Sequence, residues 1–132
     1  MKQFGLSSKE RIKNKKYFDL IYSRGEVLFS SSNRLKAICF IDRNPDNIGI
    51  KTAFAVSKKS GSAVWRNRIK RLLRESFRLN KSNLTELVYE EKVLLFIVFS
   101  PNTINQEFNK NISLVEMMPD VLDLLNRIRK IL

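Results

Sequence analysis

A strongly basic segment lies near the middle of the chain and has the residue types that bind phosphate groups. Eight of the 21 residues from Lys58 to Arg78 are Lys or Arg, and from Arg66 onward six cations face one acid, Glu75. Cations stacked at i, i+4 and i+8 of a helix repel each other by roughly a few tenths of a kcal/mol per pair. A polyanion would supply the missing countercharge, because Arg binds phosphate in bidentate fashion. The pattern therefore favours polyanion binding over a solvated helix face, and composition alone does not choose RNA over DNA.

Gly61 lies just before the predicted basic helix and has two interpretations. It can let the chain turn so that free backbone N–H groups face a phosphate, or it can serve an ordinary strand-to-helix turn. The spacing is not that of a Walker A motif, because no Lys-Ser or Lys-Thr pair follows at the required offset. Both interpretations of Gly61 remain open from the sequence.

The chain has few groups that could carry out side-chain catalysis or hold a metal. It contains no His and one cysteine, Cys39, so His-based triads, His-activated thiols, an internal disulfide and cysteine-rich zinc sites are excluded. Glu90 and Glu91 are adjacent and point apart, and the dipole of a last helix accounts for Asp120 and Asp123. We therefore predict no catalytic residue and no metal site in the protein.

Length and charge indicate one basic domain. The chain has 132 residues and a net charge of +12, and 43% of its residues are apolar. We predict a single domain over residues 1–132, large enough to fold without disulfides or metals. No signal peptide is recognisable, and the longest apolar run, 93–99, is too short to span a bilayer. The expected location is the cytoplasm, and a membrane partner is disfavoured.

The elements that must position the basic segment alternate between helices and strands. Ser7 and Glu10 have capping-box spacing, which predicts a first helix from about Ser8 to a stop at Gly25. Strands are predicted at 27–29, 35–41, 52–57 and 93–99, and the last of these is apolar enough to be central. A helix at 63–79 places its bases on one face and its apolar residues on the other.

The C-terminal quarter is less regular in pattern. Residues 102–118 are ambiguous and fit a long loop with some helix. Pro119 suits the first turn of a last helix, and the acids and bases that follow match the two ends of its dipole. The acids are Asp120 and Asp123, and the bases are Arg127, Arg129 and Lys130.

The basic segment resembles the signature of a known family. Gly61-x-Ala63-Val64-x-Arg66-Asn67-Arg68-Ile69-Lys70-Arg71-x-x-Arg74-Glu75-x-Phe77-Arg78, preceded by Ser57-Lys58-Lys59, is similar to the signature of the bacterial ribonuclease P protein component. The resemblance is specific over about 22 residues and extends more weakly across the chain. It implies an α/β sandwich in the order αβββαβα, with a central mixed sheet and a left-handed crossover between parallel strands, although right-handed crossovers are the general rule.

The resemblance also implies a function. In this family the RNA subunit carries the active site and uses Mg²⁺ to remove the 5′ leader of precursor tRNA. The protein is a non-catalytic, monomeric partner that binds the catalytic RNA and holds the leader in a cleft between the first helix and the sheet. No small-molecule substrate and no protein-bound cofactor are expected. The alternative is a structural, ribosomal-type RNA-binding protein, and a DNA-binding regulator is a third possibility without a recognisable helix-turn-helix partner.

The resemblance assigns two sets of residues by position. The RNA-binding set consists of Lys58, Lys59, Arg66, Asn67, Arg68, Lys70, Arg71 and Arg74. The leader-binding set consists of Phe18, Tyr22 and Arg11. Phe18 and Tyr22 are spaced i, i+4 and can face one cleft, where single-stranded bases stack on aromatic rings, although the core face of a helix has the same spacing.

Several positions depart from the family pattern or stay open. The strand containing Cys39 often adds an aromatic residue to the cleft, and here Ile38, Cys39 and Phe40 all remain candidates. Ser100 precedes Pro101 where an Arg is expected, which puts a basic contact there in doubt. We expect Trp65, at a variable signature position, to pack on the core rather than stack on RNA.

Overall fold

The computed structural model describes residues 10–132, which form one four-stranded sheet and four helices. Each predicted strand and helix has a counterpart, with some boundaries displaced. The elements in chain order are α1 (Lys15–Arg24), β1 (Glu26–Phe29), β2 (Leu35–Asp42), β3 (Gly49–Phe54), α2 (Ala63–Asn80), α3 (Ser82–Glu91), β4 (Leu94–Pro101) and α4 (Leu114–Ile131).

The sheet is mixed and has the spatial order β1-β2-β4-β3. Strands β1 and β2, and β2 and β4, pair antiparallel, whereas β3 and β4 pair in parallel. A parallel pair needs a crossover connection, and α2 and α3 form it. The single α+β domain and its mixed sheet confirm the predicted fold class, and the left hand of the crossover stays a prediction.

Strand β4 is central, as its apolar run predicts. Residues 95–99 are all buried because the sheet is covered on both faces. On one face, Leu35, Ala37 and Cys39 of β2 join the main core with α2 and α4. On the other face, Ile21 of α1 covers a smaller cluster that includes Phe96. The sheet therefore separates the basic helix α2 from the first helix.

The first helix begins later than predicted. Ser7 and Ser8 lie outside the described residues, but residues 11–14 are not helical, so a helix continuous from Ser8 is wrong. Arg11 instead forms a bridge beside Thr52, where the N–H of Ile12 donates to the Thr52 carbonyl at 2.9 Å. Asn14 then caps α1 by accepting from the N–H of Lys16. The predicted stop at Gly25 is confirmed.

Two further boundaries differ from the prediction. Strand β3 begins at Gly49 and ends at Phe54, three residues earlier than predicted at both ends. The expected order αβββαβα has no helix at the position of α3, so this helix was not predicted. Leu84 and Val88 of α3 are buried in the core. These two residues are spaced i, i+4, but four polar residues at 80–83 interrupt the helical pattern before them. Among residues 10–132, no helix is long and apolar enough to cross a membrane.

The last helix also begins earlier than predicted, and Pro119 is in its interior rather than its first turn. Ser113 caps the start by accepting from the N–H of Glu116, and its hydroxyl donates to the Glu116 carboxylate. The two residues have the spacing of a capping box. The spacing of Ser113 and Glu116 is visible in the sequence, but Pro119 favoured a later start for the helix. Asp120 and Asp123 therefore lie beyond the first turn, and the helix dipole does not explain them.

These two acids hold the β1–β2 turn against α4. Buried Asp120 accepts from the Ser32 hydroxyl at 2.7 Å and from Nε of Arg34 at 2.8 Å. Asp123 accepts from the N–H of Ser31 and from Arg127. Partial burial by itself would raise the pKa of Asp123, but these hydrogen bonds and the charge of Arg127 outweigh it and hold that pKa below its usual value.

We expect Asp120→Ala to lower the free energy of unfolding by about 2 kcal/mol, because the Ser32 hydroxyl and the Arg34 guanidinium lose their acceptor. Urea denaturation followed by circular dichroism would measure the change. Asp46→Ala, at an exposed position in the β2–β3 connection, is the control and should change stability by less than about 0.5 kcal/mol. Equal effects of the two substitutions would contradict the assigned role of Asp120.

Candidate nucleic-acid interface

Helix α2 presents its bases outward because its apolar residues are buried on the opposite side. Ser62 caps the helix by accepting from the N–H of Trp65 at 3.2 Å. Trp65, Ile69, Leu73 and Phe77 are all buried and pack into the main core. The predicted packing of Trp65 is confirmed.

The outward face of α2 has more positive than negative charge. Asn67, Arg71 and Arg74 are exposed, and Arg66 and Lys70 are half-buried. Within residues 10–132, the four cations of this group have no carboxylate partner in an ion pair. The guanidinium of Arg74 instead lies 5.7 Å from the centre of the Phe54 ring, a cation–π contact that leaves its charge uncompensated. We name this face, formed by residues 66, 67, 70, 71 and 74, the basic face.

Two other basic residues of α2 do not belong to the basic face. Arg78 forms an ion pair with Glu75, and the hydrogen bond from Arg78 lowers the pKa of the Glu75 carboxyl. Arg68 lies about 200° around the helix from Arg66, at about 100° per residue. It is half-buried, and its Nη1 atom is inaccessible to solvent. The structure therefore brings together the other predicted α2 residues, and Arg68, about 60° from Arg71 by the same measure, lies at the edge of their surface toward the buried side.

Lys58 and Lys59 lie in a single 3₁₀ turn between β3 and α2, and both are exposed. The Ser57 and Ser60 hydroxyls are 2.9 Å apart across this turn. Nε of Arg66 donates to the Gly61 carbonyl at 3.1 Å, which ties the turn to the basic face. Lys58 and Lys59 thus adjoin the N-terminal end of the basic face.

A distant loop holds this turn in place, and the sequence analysis did not identify it. The N–H of Gln106 donates to the Ser60 carbonyl at 2.8 Å, and Oε1 of Gln106 accepts from the N–H of Ser62 at 2.7 Å. Nε1 of Trp65 donates to the Asn109 carbonyl at 3.2 Å. No local spacing signals these contacts, because they join residues more than 40 positions apart.

The same loop explains Gly61. A Cβ at this position would lie 2.7 Å from Oε1 of Gln106 and 2.7 Å from Cε3 of Trp65, closer than side chains tolerate. The N–H groups of Ser62 and Trp65 are already used, by Gln106 and by the Ser62 cap. The structure therefore favours the interpretation of Gly61 as a close-packed turn over that of a phosphate-binding loop.

A second candidate surface lies on the opposite face of the sheet, along α1. The Phe18 and Tyr22 rings stack with their centres 6.5 Å apart and an interplanar angle of 20°. Phe18 is half-buried against the Phe96 cluster, and Tyr22 is 55% exposed. The prediction that Phe18 and Tyr22 lie on one flank of the first helix is confirmed. Arg11 is exposed beside the edge strand β3, in the segment that leads into α1.

The residues of β2 that face α1 are Ile38 and Phe40, not Cys39. Both pack against the Phe96 cluster, whereas Cys39 is buried among the residues beneath α2 and α4. Burial, with a smaller effect of Glu26, raises the pKa of the Cys39 thiol to about 11. Cys39 is therefore excluded as a residue of this surface.

The two flanks of α1 differ in charge. Tyr17 lies on the flank opposite Phe18 and stacks on Phe96, with 5.1 Å between ring centres. That flank lines a groove of about 660 Å³ whose lining includes Glu10, Asp42 and Asp46. Glu10 is paired with Lys81, and Lys51 also lines the groove, so Asp42 and Asp46 are the acids that would repel phosphate there. The Phe18–Tyr22 flank is therefore the one suited to a nucleic acid. In residues 10–132, no group of His, Cys, Asp or Glu is arranged to hold a metal ion.

A mixed sheet, a basic helix on one face and an aromatic flank on the other define a small α+β protein with a surface suited to a polyanion. The Ribonuclease P family model matches residues 6–120, which is most of the chain. The chain therefore belongs to the Ribonuclease P family.

Individual relatives agree with this family, and a solved structure has the same fold. A Ribonuclease P protein component from Macrococcus caseolyticus is 34% identical over 102 residues, covering 77% of this chain and 83% of that protein. One from Maridesulfovibrio salexigens is 37% identical over 81 residues, 61% of this chain and 63% of the relative's length. The solved RNase P protein from Thermotoga maritima has the same fold, with a TM-score of 0.68 at 24% identity, covering 89% of this chain and 96% of that one.

We expect Arg71→Ala to weaken RNA binding and to flatten its salt dependence. Each lost phosphate contact removes about 0.7 to 0.9 from the slope of log K against log salt. Filter binding over a series of salt concentrations would measure the slope. Arg78→Ala is the matched control, because Glu75 already pairs with that cation, and it should change the slope less. The phosphate role of Arg71 would be contradicted by equal slopes in Arg71→Ala and the unmodified protein.

Proposed function

We propose that this chain is the protein component of a bacterial-type ribonuclease P. In this proposal it binds the catalytic RNA and the 5′ leader of precursor tRNA, and it assists the Mg²⁺-dependent removal of that leader. The observation that carries the proposal is the basic face of α2, whose cations lack carboxylate partners among the described residues, in a chain of this family.

The basic face and the adjoining turn would contact the phosphates and sugars of the catalytic RNA. Arg66, Lys70, Arg71 and Arg74 offer charge to phosphates, and the Asn67 amide can both donate and accept hydrogen bonds. Lys58 and Lys59 extend this positive surface along the turn that Gln106 holds. Binding would relieve the mutual repulsion of the cations and release counterions from the RNA. Arg68 belongs to the proposed RNA-binding set through the family resemblance, and it lies at the edge of the basic face, half-buried and three residues from Arg71.

The aromatic flank of α1 would bind the leader. Stacked Phe18 and Tyr22 offer ring surface to unpaired bases, and such stacking tolerates any base because every base has a π-face. Arg11, exposed just before α1, would contact a leader phosphate. The sheet lies between this flank and the basic face, so one small domain could contact two parts of a ribonucleoprotein substrate complex.

In this proposal the protein contributes binding rather than reacting groups. Its full sequence has no His, and its thiol is buried with a raised pKa. Mg²⁺ would be held by the RNA of a one-to-one complex. The protein would raise the affinity for leader-bearing substrate and reduce the Mg²⁺ concentration that the RNA needs, because its cations neutralise phosphates.

The deciding experiment is cleavage of precursor tRNA by a bacterial ribonuclease P RNA at low Mg²⁺, with and without this protein. We expect the protein to restore cleavage of leader-bearing substrate. Raising Mg²⁺ until the RNA cleaves alone is the control for an active RNA. No stimulation at low Mg²⁺, together with tight binding to ribosomal RNA, would replace the proposal with a structural RNA-binding protein.

We expect Tyr22→Ala and Phe18→Leu to weaken holoenzyme binding of leader-bearing precursor tRNA by about tenfold, the value of roughly one lost stacking contact. Affinity for mature tRNA should not change, because mature tRNA has no leader. Equilibrium binding of both RNAs to the reconstituted holoenzyme would measure the two effects. Tyr89→Ala, which removes an exposed aromatic ring on α3, is the matched control. An equal loss for the two RNAs would reject the leader assignment.

A further inference from the structure

The loop between β4 and α4 places a phenylalanine in solvent although its apolar neighbours are buried. Ile104 and Ile112 both belong to the main core. Phe108 lies midway between them in the sequence and is 78% exposed, the largest exposed fraction of any aromatic side chain in residues 10–132. Burial of a ring of this size is favourable, so its exposure costs stability. Single exposed apolar residues are ordinary on protein surfaces, so the position of this ring decides its meaning.

A hydrogen-bonded turn holds Phe108 in this position. The N–H of Phe108 donates to Oδ1 of Asn105 at 3.0 Å, and the N–H of Asn109 donates to the Asn105 carbonyl at 2.8 Å. The N–H of Asn105 in return donates to Oδ1 of Asn109 at 3.2 Å. Because these polar groups are satisfied within the turn, the backbone itself fixes the exposure of the Phe108 ring.

The turn lies beside the surface proposed to bind the catalytic RNA. On one side of Phe108, Gln106 binds the turn that carries Lys58 and Lys59. On the other side, the Asn109 carbonyl accepts a hydrogen bond from the first turn of α2. Adjacent residues of a chain have Cα atoms about 3.8 Å apart. Phe108 is therefore next to the N-terminal end of the basic face.

The charges of the loop favour a contact with a base over a contact with a phosphate. Lys110 is exposed and has no carboxylate partner in an ion pair within residues 10–132. Two acids, Glu107 and Glu116, line the same hollow of about 360 Å³ as Phe108 and Lys110. These acids offset the lysine, so the loop adds no net positive charge for phosphates. An exposed ring can instead stack on an unpaired base, which every base permits through its π-face.

We propose that Phe108 is a further contact of this protein with the catalytic RNA. Its ring stacks on an unpaired base next to the phosphates that Lys58, Lys59 and Arg66 bind. An unpaired base of that RNA is the partner that fits, because the adjoining cations would bind the backbone of the same molecule. This inference rests on the proposed function and extends it, since a loop outside the basic helix adds a base contact to a surface that otherwise binds phosphates and sugars.

The test measures the affinity of the full-length protein for a bacterial ribonuclease P RNA over a series of salt concentrations. Phe108→Ala should weaken binding by about 5- to 150-fold, the range for the loss of one stacked base. The slope of log K against log salt should equal that of the unmodified protein, because the lost ring has no charge. This pattern differs from that expected for Arg71→Ala, which should flatten the slope.

Two further variants at this position separate stacking from general apolar contact. Phe108→Tyr should restore the affinity, because its ring stacks as well, whereas Phe108→Leu should bind as weakly as Phe108→Ala. Tyr89→Ala removes an exposed ring on α3 and should leave the affinity unchanged. Because Phe108 is exposed, all three of its variants should unfold at the urea midpoint of the unmodified protein.

Fluorescence tests the contact directly. Trp65 is the one native tryptophan and is buried, so the unmodified protein supplies the background emission. The additional emission of Phe108→Trp should be quenched when the catalytic RNA is added, because the introduced indole would stack on a base. Tyr89→Trp is the matched control and should not be quenched. Unquenched emission from Phe108→Trp bound to the RNA would overturn the proposal.

The inference is also overturned if Phe108→Ala or Phe108→Leu binds the catalytic RNA as tightly as the unmodified protein does. A loss of affinity accompanied by a flatter salt slope would reject stacking, because the loop would then act through charge. Self-association of the unmodified protein in sedimentation that Phe108→Ala abolishes would assign the ring to a second copy instead. The proposed function fails separately, and visibly, if the unmodified protein does not stimulate cleavage at low Mg²⁺.

Discussion

The structure depends on one constraint at α2. The apolar face of this helix must be buried, whereas the cations of its basic face have no carboxylate partners among residues 10–132. Burial of Trp65, Ile69, Leu73 and Phe77 orients the helix on the sheet. Because apolar burial is favourable by roughly 25 cal/mol per Å², it outweighs the weak repulsion among neighbouring cations. The fold thus holds in place a surface of like charges that a polyanion would stabilise, because Glu75 of the same helix pairs with Arg78, outside that surface.

Strand β4 determines where the other parts lie relative to that surface. Since residues 95–99 are buried on both faces, each face of the sheet needs its own cover. Helices α2 and α4 supply one cover and α1 supplies part of the other. The part that α1 leaves open exposes Tyr22 at the end of α1 and Phe29 of β1. The acidic groups beside Tyr17 make the opposite flank of α1 unfavourable for phosphate.

The loop at 102–113 and helix α4 act as supports for the two ends of the site. Gln106 holds the turn before α2, and Asn109 binds the buried Trp65 of that helix. The backbone that carries Lys58 and Lys59 is therefore fixed. Asp120 holds the β1–β2 turn through Ser32 and Arg34, next to the strand that carries Phe29. The C-terminal segment therefore positions the site, although it contributes none of the predicted RNA-binding residues.

Sequence alone determined the features that depend on local spacing and composition. The apolar and basic periodicity of 63–79 predicted α2 and its two faces, the apolar run predicted the central strand, and i, i+4 spacing placed Phe18 and Tyr22 on one flank. Only the tertiary structure decided which face Cys39 occupies, that Arg68 is half-buried, why Gly61 is needed, and what Asp120 binds. Those features depend on contacts between residues far apart in the chain, such as Gln106 with Ser62 and Asp120 with Arg34. Local periodicity carries no information about such contacts, because the sheet register and helix packing that create them involve the whole domain.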